Sequence, residues 1–267
     1  MDFKRSFGRY KRKVLTMAKE KNVLILGSGS GSNAEAIVRF SQEHNLNIRF
    51  QGGCNKAREK AGMYERLEKL NVPVDHIHAT KADSSKLVDF LDTSKVKYDL
   101  IVLAGYMLIV PDDIVNNWKT LNIHPSIVPF FYQGSERAYE NAMENGDVYT
   151  GCTVHRATPE LDKGPRLGQI AYKIPYDIRA GKDINGLKNF GLTYEHVLYP
   201  NVMDNVLFGA PLNMNDIAAT AEKNLKTKDL LPTETIIPAN GANVFKGFDS
   251  KKFNGFWGEL YRGRQIA

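Results

Sequence analysis

The sequence predicts an α/β fold: a mostly parallel open sheet with helices on both faces. Three observations lead there. Short apolar runs of strand length alternate with stretches of helical apolar spacing through the first half of the chain. Val23-Leu24-Ile25-Leu26 and Leu100-Ile101-Val102-Leu103 are apolar at every position, as strands buried on both faces are. The first of these runs ends in a glycine-rich turn that opens directly into a helical stretch.

The elements follow in order. Asn22–Leu26 is a buried strand entering a turn at Gly27, and Asn33–His44 is a helix with Ala36, Ile37 and Phe40 on one face. Ile48–Phe50 is a second strand and Ala57–Leu70 a second helix; Val72–Ile77 and Ser84–Leu91 repeat the pair. Asp99–Ala104 is the clearest buried strand of all. After Trp118 the rhythm changes. A strand over Thr120–Ile123 leads into a loop carrying Pro125 and Pro129, and Arg137–Glu144 is a helix stopped by Asn145-Gly146-Asp147. Strands over Thr150–Ala157 and Leu167–Ile174 flank a loop containing Asp162. Ile184–Leu207 is helical, with breaks expected at Gly191 and Pro200. Beyond Pro211 come a helix over Asn215–Lys226, a turn-rich stretch (Pro232, Pro238, Gly241) and an aromatic tail through Phe245, Phe248, Phe253, Phe256, Trp257 and Tyr261. The tail reads as packing surface, against the body or a second subunit. This divides the chain into a leader (1–21), a body (22–210) and an extension (211–267) of unassigned role.

Composition sets limits on function. Of 267 residues, 42% are apolar and 10% aromatic, ample for a large core. No apolar run reaches the roughly 18 residues of a spanning helix, so no membrane is expected. Two cysteines, Cys54 and Cys152, give neither a disulfide framework nor metal-ligand spacing; a reducing, cytoplasmic setting and no metal are expected. The net charge of +6 lies wholly in residues 1–21, where eight basic groups face two acidic ones; residues 22–267 hold 28 of each sign. The body is therefore no broad nucleic-acid surface. The leader admits three readings: a solvated tail, an anion-binding arm, or an organellar presequence within residues 1–16.

Gly27-Ser28-Gly29-Ser30-Gly31-Ser32-Asn33 joins the first strand to the first helix. Glycines there let the backbone approach an anion, and Ser and Asn offer helix caps and donors. A phosphate at that helix N-terminus is one reading, a tight capped turn the other. A dinucleotide fingerprint does not fit, because its third glycine falls at Ser32 and no acid closes the second strand; no Gly-Lys-Ser/Thr marks a nucleoside triphosphate either.

The chemistry concentrates in Leu121-Asn122-Ile123-His124-Pro125-Ser126 and, 36 positions after His124, Glu160-Leu161-Asp162-Lys163-Gly164-Pro165. Asn122 and His124 are two apart at a strand end, so both point to one face, and the carboxyl ends of strands are where ligands sit in an open parallel sheet. An amide, an imidazole and a carboxylate are what acyl transfer to an amine needs: one to steady an oxyanion, one to move a proton, one to orient the imidazole. His155, in the next strand, faces the same cleft.

These residues resemble the folate-dependent formyltransferase family, most of all its glycinamide ribonucleotide members in purine biosynthesis. The matching stretches are Val23–Asn33, Cys54-Asn55-Lys56, Asp99–Met107, Leu121–Pro129, Glu144–Asp147, Gly151–Pro165 and Glu195–Pro200, collinear over about 22–208. The resemblance implies the formyltransferase fold, Rossmann-like in its N-terminal half, and 10-formyltetrahydrofolate as co-substrate. It implies Asn122, His124 and Asp162 as catalytic residues. Gly31, Ser32 and Asn33 would hold the substrate phosphate, and Glu195 the ribose hydroxyls. Tyr106, Met107, Leu108, Ile109 and Val110, with Thr158 and Glu160 in the loop before Asp162, would wall the folate pocket. His155 would stand behind the catalytic group. Small-molecule substrates are implied, acted on by a monomer or homodimer.

Three stretches depart from the family pattern: Phe130-Phe131-Tyr132-Gln133-Gly134 in a longer loop after His-Pro-Ser, Leu108 where a basic residue is usual, and the region beyond about 210. A different amine acceptor is therefore the competing expectation. A methionyl-tRNA acceptor calls for a larger, basic C-terminal domain than 211–267 offers, a sugar nucleotide for a nucleotide site, and a formyl-folate hydrolase for a regulatory domain in front. A non-catalytic folate- or phosphate-binding relative would keep three polar groups at a desolvation cost for no gain. A nucleic-acid-binding role would rest on the leader alone, and deletion of residues 1–16 would abolish it.

Overall fold

The computed structural model describes residues 19–129, 131–226 and 235–236. The basic leader up to residue 18, Phe130, the turn-rich stretch and the aromatic tail lie outside the described residues. Among the described residues, eight strands form one sheet: β1 (Lys21–Gly27), β2 (Ile48–Cys54), β3 (Val74–His76), β4 (Leu100–Leu103), β5 (Thr120–His124), β6 (Tyr149–Arg156), β7 (Arg166–Lys173) and the two-residue β8 (Thr235–Ile236). Their spatial order is β3-β2-β1-β4-β5-β6-β7-β8. Neighbours are parallel from β3 through β5 and antiparallel from β5 through β8. The helices are α1 (Ser32–Glu43), α2 (Met63–Glu68), α3 (Ser85–Thr93), α4 (Asp112–Asn117), α5 (Ala138–Glu144), α6 (Tyr176–Ala180), α7 (Ile184–Phe208) and α8 (Met214–Lys226).

The alternation of a strand explains the two layers. Val23 and Ile25 of β1 pack into one core with Ile37 and Val38 of α1, Leu67 of α2, and Leu198 and Val202 of α7. Leu24 and Leu26 face the other way, onto Leu87 and Leu91 of α3 and Ile114 and Val115 of α4. All four β1 side chains are fully buried, each contributing about 1.5–3 kcal/mol. The anticipated open sheet, helical on both faces, is thus what the chain forms. α8, from the stretch the sequence sets apart, joins the first core through Met214, Ile217, Ala221 and Leu225.

Three local expectations are corrected. The second helix does not run Ala57–Leu70: a 3-10 turn at Arg58–Lys60 and extended backbone at Ala61 precede α2. The break lets Met63 N donate to the Gly29 carbonyl (3.2 Å), tying α2 to the glycine loop. α7 is not broken at Gly191 or Pro200; it continues for 25 residues with Pro200 inside. Tyr199, Val202 and Met203 are fully buried around that proline, and their packing outweighs one missing backbone bond. Finally, no Ser or Asn side chain caps α1. Its cap is Gly31 at φ 77°, without a side-chain hydrogen bond. A Cβ there would stand 2.6 Å from Met63 Cα, so glycine is required by both conformation and space.

Candidate active site

The chain winds outward from β1 to β3 and then crosses to β4 on the other side of β1. β1 and β4 stay paired to their carboxyl ends, but the chain leaves them toward opposite faces, into α1 and into α4, leaving a crevice at the switch point. A cleft of about 440 Å3 opens there. Its lining includes Gly31, Ser32 and Asn33 at one end, Tyr106–Val110 and Thr158 at the other, and Asn122, His124, His155, Asp162 and Glu195 between and behind. Every predicted site residue lines it except Glu160, whose exposed carboxylate pairs with Lys163 at 2.7 Å.

Asn122 and His124 lie on β5, and the antiparallel register sets His155 of β6 directly opposite Asn122. Asp162 returns over them from the β6–β7 turn, in the left-handed conformation at φ 53°. Its Oδ2 accepts from Gly134 N (2.8 Å) and stands 3.1 Å from His124 Nδ1. Its Oδ1 lies 3.2 Å from His155 Nε2 and accepts from Asn122 Nδ2 at 3.3 Å. Burial acts to raise the Asp162 carboxyl, but the His155 bond, the His124 charge and the Gly134 N–H outweigh it and hold the carboxyl below its ordinary value.

His124 has an acceptor at each nitrogen, because its Nε2 lies 2.9 Å from the Tyr132 carbonyl. That arrangement suits the doubly protonated ring. Burial works against the charge and lowers the pKa, with Asp162 and the Tyr132 carbonyl opposing it. A lowered pKa makes the ring the better proton donor. The loop that supplies Tyr132 and Gly134 is pinned from beneath: Gln169 Nε2 donates to the Val128 carbonyl (2.9 Å), and Ser126 Oγ to that of Phe131 (2.6 Å).

At the glycine-loop end, buried Asn33 donates to Glu195 Oε2 (2.7 Å) while its own Oδ1 has no hydrogen-bond partner among the described residues. Ser28 Oγ donates to Asn55 Oδ1 (2.5 Å) and accepts from Met107 N (2.9 Å), joining the loop to the Tyr106 segment. Burial pushes the Tyr106 phenol up to about 12, so it stays neutral. The opposite end is apolar: Leu103, Val110, Val115 and Ala157 are buried, with Met107, Ile109 and Leu161 exposed around it. Among the described residues, no group of three or more His, Cys, Asp or Glu is placed to hold a metal, and no helix is long and apolar enough to cross a membrane.

The family model described as formyl transferase matches residues 21–203. The chain belongs to the formyl transferase family. It is 31% identical over 203 residues to the phosphoribosylglycinamide formyltransferase of Escherichia coli K12, covering 74% of this chain and 92% of that one. It is 29% identical over 197 residues to the human trifunctional purine biosynthetic protein adenosine-3, covering 72% of this chain and 19% of that protein. The chain thus spans about a fifth of the trifunctional relatives it matches. Among solved structures, phosphoribosylglycinamide formyltransferase from Anaplasma phagocytophilum superposes with a TM-score of 0.62 at 30% identity, over 74% of this chain and 92% of that one.

One group lining this cleft escaped sequence reasoning. Tyr139, on α5, lines the cleft and donates its hydroxyl to Glu195 Oε1 at 2.8 Å. Its only local signal was a tyrosine in an otherwise ordinary helix, and no motif pointed to it.

Proposed function

We propose that this chain transfers the formyl group of 10-formyltetrahydrofolate to the amine of glycinamide ribonucleotide, in purine biosynthesis. One observation carries the reading: Asn122, His124 and Asp162 converge within 3.3 Å in a cleft with a glycine loop at one end and apolar walls at the other. The formyl folate supplies an activated one-carbon unit. The amine nitrogen bonds to the formyl carbon, the bond from that carbon to the folate nitrogen breaks, and one proton passes from the amine to the departing nitrogen. His124 Nε2–H and Asn122 Nδ2–H steady the oxygen that gains charge, once it takes the place of the Tyr132 carbonyl. Asp162 holds His124 by Nδ1 and carries the positive charge's counterpart. His155 backs Asn122 and Asp162.

Gly31, Ser32 and Asn33 take the phosphate through the N–H groups that no side chain caps. Glu195 takes the ribose hydroxyls. Tyr106, Met107, Leu108, Ile109, Val110 and Thr158 wall the folate, and Glu160, paired with Lys163 outside the lining, reaches it only from the same loop. Residues 22–210 act as the catalytic body, carrying the leader and extension. The balance of 28 basic and 28 acidic groups over residues 22–267 suits small-molecule substrates without nucleic acid; the setting is the cytoplasm and the assembly a monomer or homodimer.

A second reading keeps the fold and folate but changes the amine. The altered loop favours it, since Tyr132 and Gly134 contact His124 and Asp162 directly. Steady-state folate absorbance with 10-formyltetrahydrofolate and glycinamide ribonucleotide separates the two. Turnover that disappears in His124→Ala and Asp162→Asn is the expected result; folate binding without turnover points to another acceptor.

A further inference from the structure

Glu195 is only 4% exposed, and both its oxygens are engaged, Oε2 by Asn33 Nδ2 and Oε1 by the Tyr139 hydroxyl. A carboxylate offers about four lone-pair sites, so these bonds leave capacity on each oxygen for a ligand. The two donors decide where that capacity faces. They come from separate elements, Asn33 from α1 beside the glycine loop and Tyr139 from α5. Tyr139 reaches Glu195 because α7 is bare one turn earlier. A Cβ on Gly191 would stand 2.3 Å from the Tyr139 oxygen and 2.6 Å from that of Tyr172. Gly191 and Glu195 share one helix face, so the glycine makes the slot and the glutamate receives the hydroxyl.

We propose that Tyr139 is a positioning residue for the amine substrate, its hydroxyl aiming the Glu195 carboxylate at the vicinal hydroxyls of a ribosyl group. The proposal rests on the reading of Glu195 as the ribose-binding acid. Tyr139 acts through Glu195 and needs no contact with the reacting atoms.

The surroundings make the effect readable in pH. Tyr139 from α5, Cys152 from β6, Tyr172 from β7 and Tyr199 of α7 itself face Glu195, and burial holds each above its ordinary value. They are neutral near pH 7, and α1 offers the uncharged amide of Asn33. Lys188 lines the same cleft but pairs with Glu140 at 2.8 Å. Glu195 is thus the group of this cluster that titrates. Burial raises its carboxyl, and Asn33 and Tyr139 oppose the rise. Without the Tyr139 hydroxyl the carboxyl rises further. As pH falls the acid protonates earlier, loses accepting capacity, and holds the ribosyl substrate less well.

The test compares Tyr139→Phe with Glu195→Gln in the full chain, varying glycinamide ribonucleotide at saturating 10-formyltetrahydrofolate from about pH 6 to about pH 8.5. Tyr139→Phe is expected to raise KM for the ribonucleotide about five- to fifteen-fold with kcat within about twofold, and to begin its KM rise on acidification at higher pH. Glu195→Gln raises KM and loses the part of the acid rise that the carboxyl contributes, the part due to protonation of the substrate amine being common to all three proteins. As a second readout, inhibition by ribose 5-phosphate is compared with inhibition by 2-deoxyribose 5-phosphate. The parent prefers the ribose form and Tyr139→Phe narrows the preference, whereas general loosening of the fold weakens both alike. If Glu195→Gln raises KM while Tyr139→Phe keeps the parent KM and pH profile, or loses kcat alone, Tyr139 does not position the acid. If Glu195→Gln leaves KM unchanged, the ribose reading of Glu195 falls and takes the proposal with it.

Discussion

Asp162→Asn is the most informative single substitution in the site. The residue sits at φ 53°, and asparagine tolerates that left-handed backbone better than alanine or any branched side chain. Its amide keeps one end of the network: the carbonyl oxygen takes the Oδ2 position facing Gly134 N and His124 Nδ1, while the NH2 at the Oδ1 position meets the Asn122 Nδ2 donor and turns toward His155 Nε2. Shape is therefore kept and charge removed. What disappears is the carboxylate beside His124, worth at most about 4 kcal/mol for charges 4 Å apart in a partly screened site, and the acceptor for Asn122, worth about 1 kcal/mol. Relaxation and water entry reduce the first figure, so a loss of about 2–4 kcal/mol in transition-state stabilisation is expected. This corresponds to a fall of roughly 30- to 1000-fold in kcat/KM.

The pH dependence carries a sign. The Asp162 carboxylate raises the His124 pKa against burial, so its removal lowers that pKa further. If His124 works as the protonated donor, the alkaline fall in activity moves to lower pH, and the variant recovers part of its deficit on acidification. Folate absorbance gives the rates, and folate binding by fluorescence quenching reports an intact pocket. A variant retaining more than a tenth of parental kcat/KM at pH 7 with an unmoved alkaline limb refutes the roles assigned to both residues.

The same structure sets other expectations. Gly164→Ala places a Cβ 1.8 Å from the Arg156 carbonyl oxygen, so the Asp162 loop must shift; thermal melting should show a loss of about 2 kcal/mol or more and kcat should fall at least about tenfold. Tyr199→Phe removes the hydroxyl that donates to the carbonyls of Leu103 (3.1 Å) and Leu121 (2.9 Å), which pins β4 to β5 behind the site. Urea unfolding should show about 1–3 kcal/mol lost, since two buried carbonyls lose a partner. Gly31→Ala combines positive φ with a clash on Met63, and should raise KM for the phosphorylated amine about tenfold or more while folate binding is retained.

Much of this was written in local pattern. Apolar runs and glycine turns place β1, β4 and α1 within a residue or two, because strands buried on both faces leave little choice of residue. Asn122 and His124 were legible as a same-face pair from the two-residue period of a strand alone. The length of α7 was not legible. Local propensity favours breaks at Gly191 and Pro200, and only burial on several sides overrides it. The uncapped start of α1 was hidden for a similar reason, since Ser32 and Asn33 look like caps until Met63 forces Gly31 to take that place.

The sequence by itself determined the fold class, the family, and an amide, an imidazole and a carboxylate at turn-bearing segment ends. Those properties reside in periodicity and residue type, which neighbours along the chain express. Only the tertiary structure decided that β6 runs antiparallel to β5 and sets His155 across from Asn122. It alone brings Asp162 back within 3.1 Å of His124, and the Tyr139 hydroxyl to Glu195 past the bare backbone of Gly191. These contacts join residues 33 to 56 positions apart, and their geometry follows from register and close packing rather than from any local pattern.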